Sequence, residues 1–502
     1  MGSLLIDIGQ CGNQIGLQLI DYFESTSHNY EDTYLKNSDQ NTFHSIHIDT
    51  EPKIIKPLIE NRKKYFNIDP KNVLFFQHGR GNNWSLGYMD EQKLQNKVKN
   101  VNKPLAFNKF TESQPYQLSQ NTASLSNNSD LLQTGLKGNN QEIIPSQQML
   151  KENTQILENL IDIMRKEIEK IDYCMGIHMI SSLGGGTGSG LGSRLIEEFR
   201  DLFSDIQIIN TVVFPHKSGE TTLQHYNCAL SLAHLQKYSD CIIYFQNDKV
   251  NSYLNLARSS SVEKAIDLTN INQYIASNLF NLLKLNDYSN FDRFYFDILL
   301  DAAPMDDYKF VEVFSTPYYF NKTLSTGPDC HWEKVIDSVL SQVNIEDNFI
   351  TQNISTKESE VNEIENLLKG NKEQIRDVSL SVQTIFRSFD VNKSIKGNES
   401  ALKSIDKKMH QTFNPVKWNP DCFNYEFIEY KLKDSCDNKM MLTVANRSTI
   451  ANVIQNINET AYSKFKASAY LHSYYQYGME KADFEEALLT LDNIYDNYSN
   501  LK

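Results

Sequence analysis

The chain has 502 residues, 40% of them apolar, and a formal net charge of −14. That length calls for two or three packed domains with real hydrophobic cores, and the acidic balance argues against a nucleic-acid binder that works by neutralising phosphates. No apolar run approaches the roughly 18 residues that a bilayer span requires, the N-terminus has no basic-then-apolar leader, and the seven cysteines show neither zinc-ligand nor disulfide spacing. The expectation is a soluble intracellular protein with no nucleic acid and no membrane insertion among its partners.

Residues 3–8 (SLLIDI) predict a strand that runs into GQCGNQIG at 9–16 and then into a helix through Leu17, Leu19, Ile20 and Phe23. Phe43 to Ile48 predicts a second strand, ending in Asp49-Thr50-Glu51-Pro52, and Val73 to Phe76 a third, ending in the loop GRGNNW at 79–84. Residues 91–150 are rich in Asn, Gln, Ser and Lys. Such a segment buries too little apolar surface to offset its ordering entropy and reads as a surface insertion, a solvated spacer or a partner-docking segment.

From 153 to 171 the apolar residues recur with a helical period, through Ile156, Leu160, Met164 and Ile168. Met175 to Ser181 predicts a strand that enters GGGTGSG at 184–190, and a helix leaves that loop near Leu191. Ile206 to Phe214 and Cys241 to Phe245 predict two more strands with a helix around 225–238 between them. Strand–loop–helix repeated in this way predicts an α/β Rossmann-like domain with a mostly parallel sheet covered on both faces.

After about 300 the pattern becomes mixed. Lys309 to Ser315, Val378 to Phe386 and Met440 to Ala445 predict strands, Val335 to Val343 and Ile450 to Ile457 predict helices, and 345–376 reads as a polar expanded loop. Two closing helices are predicted over 460–476 and 480–497. The expected units are a first domain over 1–255, a core helix and connecting loop over 256–300, an α+β domain over 301–445 and a helical region over 446–502.

The chemistry is concentrated in the glycine loops. Phosphate binding needs backbone N–H groups gathered into one concavity, and glycines permit the close approach and positive φ that this takes; the helix that follows adds a favourable field for an anion. Gly184, Gly185, Gly186, Thr187, Gly188 and Ser189 fit that description, wedged between an apolar strand and an amphipathic helix and so unlike a flexible linker. The loop is not a Walker A sequence, which needs Gly-Lys-Ser/Thr, and it fits the dinucleotide fingerprint poorly. Gly9, Gln10, Cys11 and Gln14 form a second loop of the same kind. A metabolic Rossmann enzyme would need a catalytic His or Cys constellation, and lone residues such as His216 and His225 read as ordinary loop and helix residues.

In order, GQCGNQIG, Asp49-Thr50-Glu51-Pro52, GNNW at 81–84 and GGGTGSG resemble the nucleotide loops of tubulins. SDCIIYFQND at 239–248 resembles the tubulin strand that ends in a guanine-reading asparagine, here Asn247, and NINQ at 270–273 the helix carrying the second, here Asn272. AYLHSYYQYGMEKADFEEA at 469–487 resembles the family's C-terminal helices. The resemblance covers nearly all the chain outside 91–150, and within the family it leans to the delta class, with zeta/eta and epsilon open.

The resemblance implies GTP or GDP and Mg²⁺ as cofactors. Gly9, Gln10, Cys11, Gln14, Gly81, Asn82 and the 184–190 loop would hold phosphates and ribose. Asp49 and Glu51 would act near Mg²⁺, mainly through water. Glu220 would sit by the ribose, Asn247 and Asn272 would read guanine, and Leu268 would cover the base where the family carries an aromatic ring. Gln224 stands at a position usually held by a ribose-side carboxylate.

Tubulins hydrolyse GTP across a subunit boundary, with an acidic residue supplied by the next subunit. Tyr295 aligns at that position here, which leaves Asp292 and Asp297 as candidates acting in trans and leaves hydrolysis open. The final YDNYSNLK lacks the glutamate-rich tail of alpha and beta tubulins, so a bulk microtubule-wall subunit is not expected. Expected partners are other tubulins, alpha/beta or divergent, and centriolar or basal-body proteins, in the cytoplasm and cytoskeleton.

Overall fold

The computed structural model describes residues 2–26, 36–37, 42–52, 55–56, 68–91, 93–95, 145–219, 221–257, 266–284, 293–320, 323–324, 331–345, 377–429 and 439–501. Among them ten strands form one sheet: β1 (Gly2–Ile8), β2 (Ser45–Asp49), β3 (Val73–Phe75), β4 (Cys174–Ser182), β5 (Gln207–Phe214), β6 (Cys241–Gln246), β7 (Phe310–Thr316), β8 (Ser379–Ser388), β9 (Phe423–Glu429) and β10 (Met440–Arg447). Their spatial order is β9-β8-β10-β7-β6-β5-β4-β1-β2-β3. From β3 to β7 every pairing is parallel, and β10 runs antiparallel to both of its neighbours. The architecture is the predicted α/β fold with a mostly parallel sheet.

Strand periodicity explains why both faces are covered. Side chains of successive residues point to opposite faces. Leu4, Ile6 and Ile8 of β1 therefore join one apolar cluster while Leu5 joins the other. The same division separates Ile208 and Val212 from Ile209 and Val213 in β5, and Ile242 and Tyr244 from Ile243 and Phe245 in β6. The first cluster is closed by helices Pro145–Glu169, Gly192–Leu202, Gln224–Tyr238, Ile450–Lys466 and Lys481–Ser499, and the second by helices Gly9–Thr26, Leu268–Leu283 and Tyr295–Ala302. A third cluster packs helices Trp332–Val343 and Glu399–Phe413 on β8 and β10.

The predicted elements need correcting in two places. Helix Pro145–Glu169 begins inside the stretch assigned to the insertion, with proline at its first position, where the missing N–H costs nothing. Residues 96–144 of that insertion, and 346–376 of the expanded loop, lie outside the described residues. The predicted helix over 460–476 is instead the end of Ile450–Lys466, a turn, and the short helix His472–Tyr475. Ser468 and Tyr470 adopt φ of 52° and 61°, a left-handed backbone that cannot continue a right-handed helix. No helix among the described residues is long and apolar enough to cross a membrane.

Candidate functional site

The loops singled out in the sequence all leave the carboxyl ends of parallel strands. That edge is where ligands bind in open α/β sheets, at the point where the strand order reverses. β1 is such a point, with β4 on one side and β2 on the other.

Gly9, at φ +72°, turns the chain from β1 into helix Gly9–Thr26, and Gln10, Cys11 and Gln14 lie in that helix's first turns. A Cβ on Gly9 would lie 3.0 Å from Gly188 N and 3.6 Å from Thr187 Cβ, so the first loop is pressed against the fourth. Asn13 fixes it from below, donating to Gly9 O at 2.7 Å and to Ile48 O at 2.9 Å. A Cβ at Gly16 would fall 1.8 Å from Asp7 Oδ2. That carboxyl is fully buried, 3.0 Å from His47 Nδ1, and burial raises its pKa against the opposing pull of His47.

Gly184, Gly185 and Gly186 bend away from β4, and Thr187–Leu191 form a π turn before helix Gly192–Leu202. The widened turn was not predicted, and such turns concentrate at functional sites. Gly81 and Asn82, both left-handed at φ 54° and 51°, lead to Asn83, whose side chain caps the short helix Trp84–Tyr88. Here the backbones nearly touch: a Cβ at Gly186 would lie 2.6 Å from Arg80 O, and one at Gly190 would lie 2.1 Å from Trp84 O. Thr50 reaches the same point, with its Oγ1 2.6 Å from Thr187 Oγ1.

Asn227 holds this arrangement together, and the sequence reading missed it. It is fully buried in helix Gln224–Tyr238. Its Nδ2 donates to Asn82 O at 2.8 Å and to Gly184 O at 2.9 Å. Its Oδ1 accepts from Trp84 N at 3.0 Å and from Tyr474 OH at 2.7 Å. One amide thus ties two loops to the C-terminal helical region. A second bracket is Arg80, also buried, whose Nε and Nη2 donate to Asn153 Oδ1 at 3.0 and 2.6 Å. Asn153 Nδ2 in turn donates to Leu86 O and Met89 O at 2.7 Å. A lone polar residue amid helical apolar periodicity carries no signal of such a role.

Asp49 ends β2 nearly buried. Burial, with the Glu51 charge adding and the backbone N–H groups of Glu51 and Thr50 opposing, pushes its carboxyl up to about 6. Its Oδ1 accepts from Glu51 N at 3.3 Å, and its buried Oδ2 has no hydrogen-bond partner. Glu51 Oε1 lies against Gly79, 2.1 Å from where a Cβ would stand. Among the described residues no group of three or more His, Cys, Asp or Glu could hold a metal ion. An unpartnered carboxylate oxygen beside a phosphate-shaped loop fits a hydrated Mg²⁺ that takes its other ligands from water and phosphate.

The other edge of the site is looser. Asn247 starts helix Asn247–Ala257 directly after β6. Leu268 starts helix Leu268–Leu283 and is 48% exposed. One turn on, Asn272 Nδ2 donates to Gln14 Oε1 at 3.0 Å, which brings that helix to the first loop. Gln224 is buried and donates to His216 O at 3.2 Å. His216 Nδ1 sits 2.8 Å from Asp248 Oδ1, and His225 Nδ1 3.3 Å from Lys464 Nζ. Glu220 and Asp292 lie outside the described residues.

Tyr295 is 1% exposed, tilted against Phe296 with ring centroids 4.4 Å apart, so it is a core residue and presents nothing to a neighbour. Asp297 accepts from Phe294 N at 2.9 Å and caps helix Tyr295–Ala302.

The model of the Tubulin/FtsZ family GTPase domain matches residues 3–104 and 109–255. The tubulin delta chains of Macaca fascicularis and Homo sapiens are 24% and 23% identical to this chain, with all of each sequence covered. The tubulin beta chain of Saccharomyces cerevisiae is 21% identical over 98% of this chain and 91% of its own length. Matched in its first half by the family's GTPase domain and along its whole length by delta chains, the chain belongs to the tubulin superfamily as a divergent member.

Proposed function

We propose that this protein binds GTP or GDP with Mg²⁺ at the carboxyl edge of β1, β2 and β4, and uses the nucleotide chiefly as a conformational ligand in assembly with other tubulins. The observation that carries this reading is the interlocking of the four loops at 9–16, 49–51, 79–84 and 184–191: a Cβ on Gly186 or Gly190 would strike the backbone of the 79–84 loop, one on Gly9 would press on Gly188 N, and Thr50 meets Thr187. Gly9, Gln10, Cys11, Gln14, Gly81, Asn82 and the residues 184–189 cradle the phosphates and ribose, with Glu220 at the ribose. Asp49 and Glu51 hold Mg²⁺ through water, and the ion supplies charge neutralisation to the phosphates. Asn247 and Asn272 read guanine, and Leu268 covers its face.

Slow or absent turnover is part of the proposal. Its support is the burial of Tyr295, which withholds it from a neighbouring subunit, and the engagement of one Asp297 carboxylate oxygen in capping its own helix. The likeness to delta chains supports a role beside alpha/beta or other divergent tubulins and centriolar proteins, at centrioles or basal bodies within the cytoplasmic cytoskeleton. The test is purified full-length protein. We expect guanine nucleotide to co-purify and to be released by EDTA, with little phosphate released from added GTP. Phosphate release that climbs steeply with protein concentration would replace this reading with a self-polymerising GTPase, and the absence of any guanine nucleotide would remove it.

A further inference from the structure

We propose that Glu312 is a positioning residue for base recognition, acting through Lys249 on the first turn of the helix that begins with Asn247; the inference rests on the guanine-reading role of Asn247 given above. Helix Asn247–Ala257 buries only Val250, Tyr253 and Leu254, all beyond its first turn. That turn is held by side chains. Asp248 accepts from His216 Nδ1 and from Lys217 N, each at 2.8 Å, which ties it to the loop after β5. Lys249 Nζ donates to Glu312 Oε1 at 2.6 Å. Residues two apart lie about 200° round a helix from each other. Lys249 therefore anchors the turn from the side away from Asn247, and sets the helix's roll without touching a ligand.

Glu312 is itself fixed. It stands in β7, 4% exposed, and its second oxygen accepts from Arg447 Nη1 of β10 at 3.0 Å. Arg447 also pairs with Asp377, and it lies over the Phe413 ring while Lys249 lies over Phe314. Charges of alternating sign thus run from Lys249 of the candidate base-reading helix through Glu312 and Arg447 to Asp377, and these four side chains balance in charge. Buried ion chains are poor stabilisers, because apolar replacements of similar volume often do as well or better. What this one supplies is a fixed geometry between Asn247 and β7.

The test compares full-length wild type with K249M, K249R and K249M/E312M, measuring Kd for GTP and for ATP beside thermal unfolding. We expect K249M to reduce the preference for GTP over ATP by about tenfold, the equivalent of a good hydrogen bond lost, with affinity for ATP unchanged. K249R should keep the wild-type ratio. If K249M does not fold, K249M/E312M removes a cation and an anion together, leaves Arg447 paired with Asp377, and should show the same loss. A wild-type ratio in whichever of these two folds overturns the inference alone. Wild type with no preference for GTP overturns the base-site reading itself and the inference with it.

Discussion

The two edges of the candidate site are built in different ways. On the phosphate edge, loops from β1, β3 and β4 meet backbone to backbone. Gly186 faces Arg80 O, Gly190 faces Trp84 O, and Gly9 faces Gly188. Nothing there can move without carrying its neighbours. On the base edge, Leu268 is half exposed and the contacts run through single side chains, Asn272 to Gln14 and Lys249 to Glu312. Interlocked backbone tolerates almost no substitution, because its atoms have no rotamer to yield. Side-chain tethers can be lost one at a time. Changes on the phosphate edge should therefore cost fold and binding together, and changes on the base edge should alter selectivity alone.

The largest expected effect comes from one methyl group. In Gly190→Ala the new Cβ would stand 2.1 Å from Trp84 O and 3.0 Å from Gly87 Cα, so the two loops must part. We expect a loss beyond about 3 kcal/mol in urea unfolding, with no nucleotide retained on purification. Gly185→Ala is the control. Its Cβ meets only Ser182 Oγ, at 3.8 Å, and stability should stay within about 0.5 kcal/mol of wild type. Equal damage from both would mean that glycine flexibility, and not the approach of the loops, is what the segment needs.

Asn227→Leu comes next. It keeps the side chain's volume but strands Trp84 N, Tyr474 OH, Asn82 O and Gly184 O away from their partner. Unpaired buried groups cost about 1–3 kcal/mol each, and partial relaxation should leave a net loss near 3 kcal/mol, with nucleotide dissociating faster. Tyr474→Phe removes one of those bonds from the far side and should cost about 1 kcal/mol. If Asn227→Leu left the dissociation rate untouched, the bracket would be structural only.

What the sequence made legible follows the same division. β4 and its loop could be read because a mostly apolar run, interrupted only by Gly176 and His178, beside a glycine cluster has few other meanings, and the loops at 9–16 and 79–84 fell into place around it. The left-handed backbone of Asn82 could not be read, because asparagine tolerates that region but does not announce it. The same blindness to Ser468 and Tyr470 misplaced the helix drawn over 460–476. Asn227, Arg80 with Asn153, and the pairing of Lys249 with Glu312 join residues far apart in the chain, and no local pattern encodes them. The edge strand β9 was missed although Phe423, Tyr425 and Phe427 alternate with Asn424 and Glu426; it is mostly half exposed, and of its side chains only those three rings pack on the third cluster. The burial of Tyr295 could not be read either, because order along the chain places a residue in the family's pattern without saying which way its side chain faces.

The smallest effect tests the base edge most directly. Leu268 is the first residue of its helix, its side chain is half exposed, and the turn beneath it is already secured by the Asp267–Asn270 capping box. Leu268→Tyr can therefore present a ring without disturbing the helix. Stacking of that ring on a purine is worth about 0.5–1.5 kcal/mol. GTP should then bind roughly two- to twelvefold more tightly by equilibrium dialysis. Inorganic tripolyphosphate, which has no base to stack, separates the two edges: its affinity should not change. Equal gains for both ligands would mean that residue 268 acts on the phosphate cradle as a whole. No gain for GTP would place the base elsewhere, and the division drawn between the edges would then fail at the point where the residue meant to cover the base was replaced by a better one.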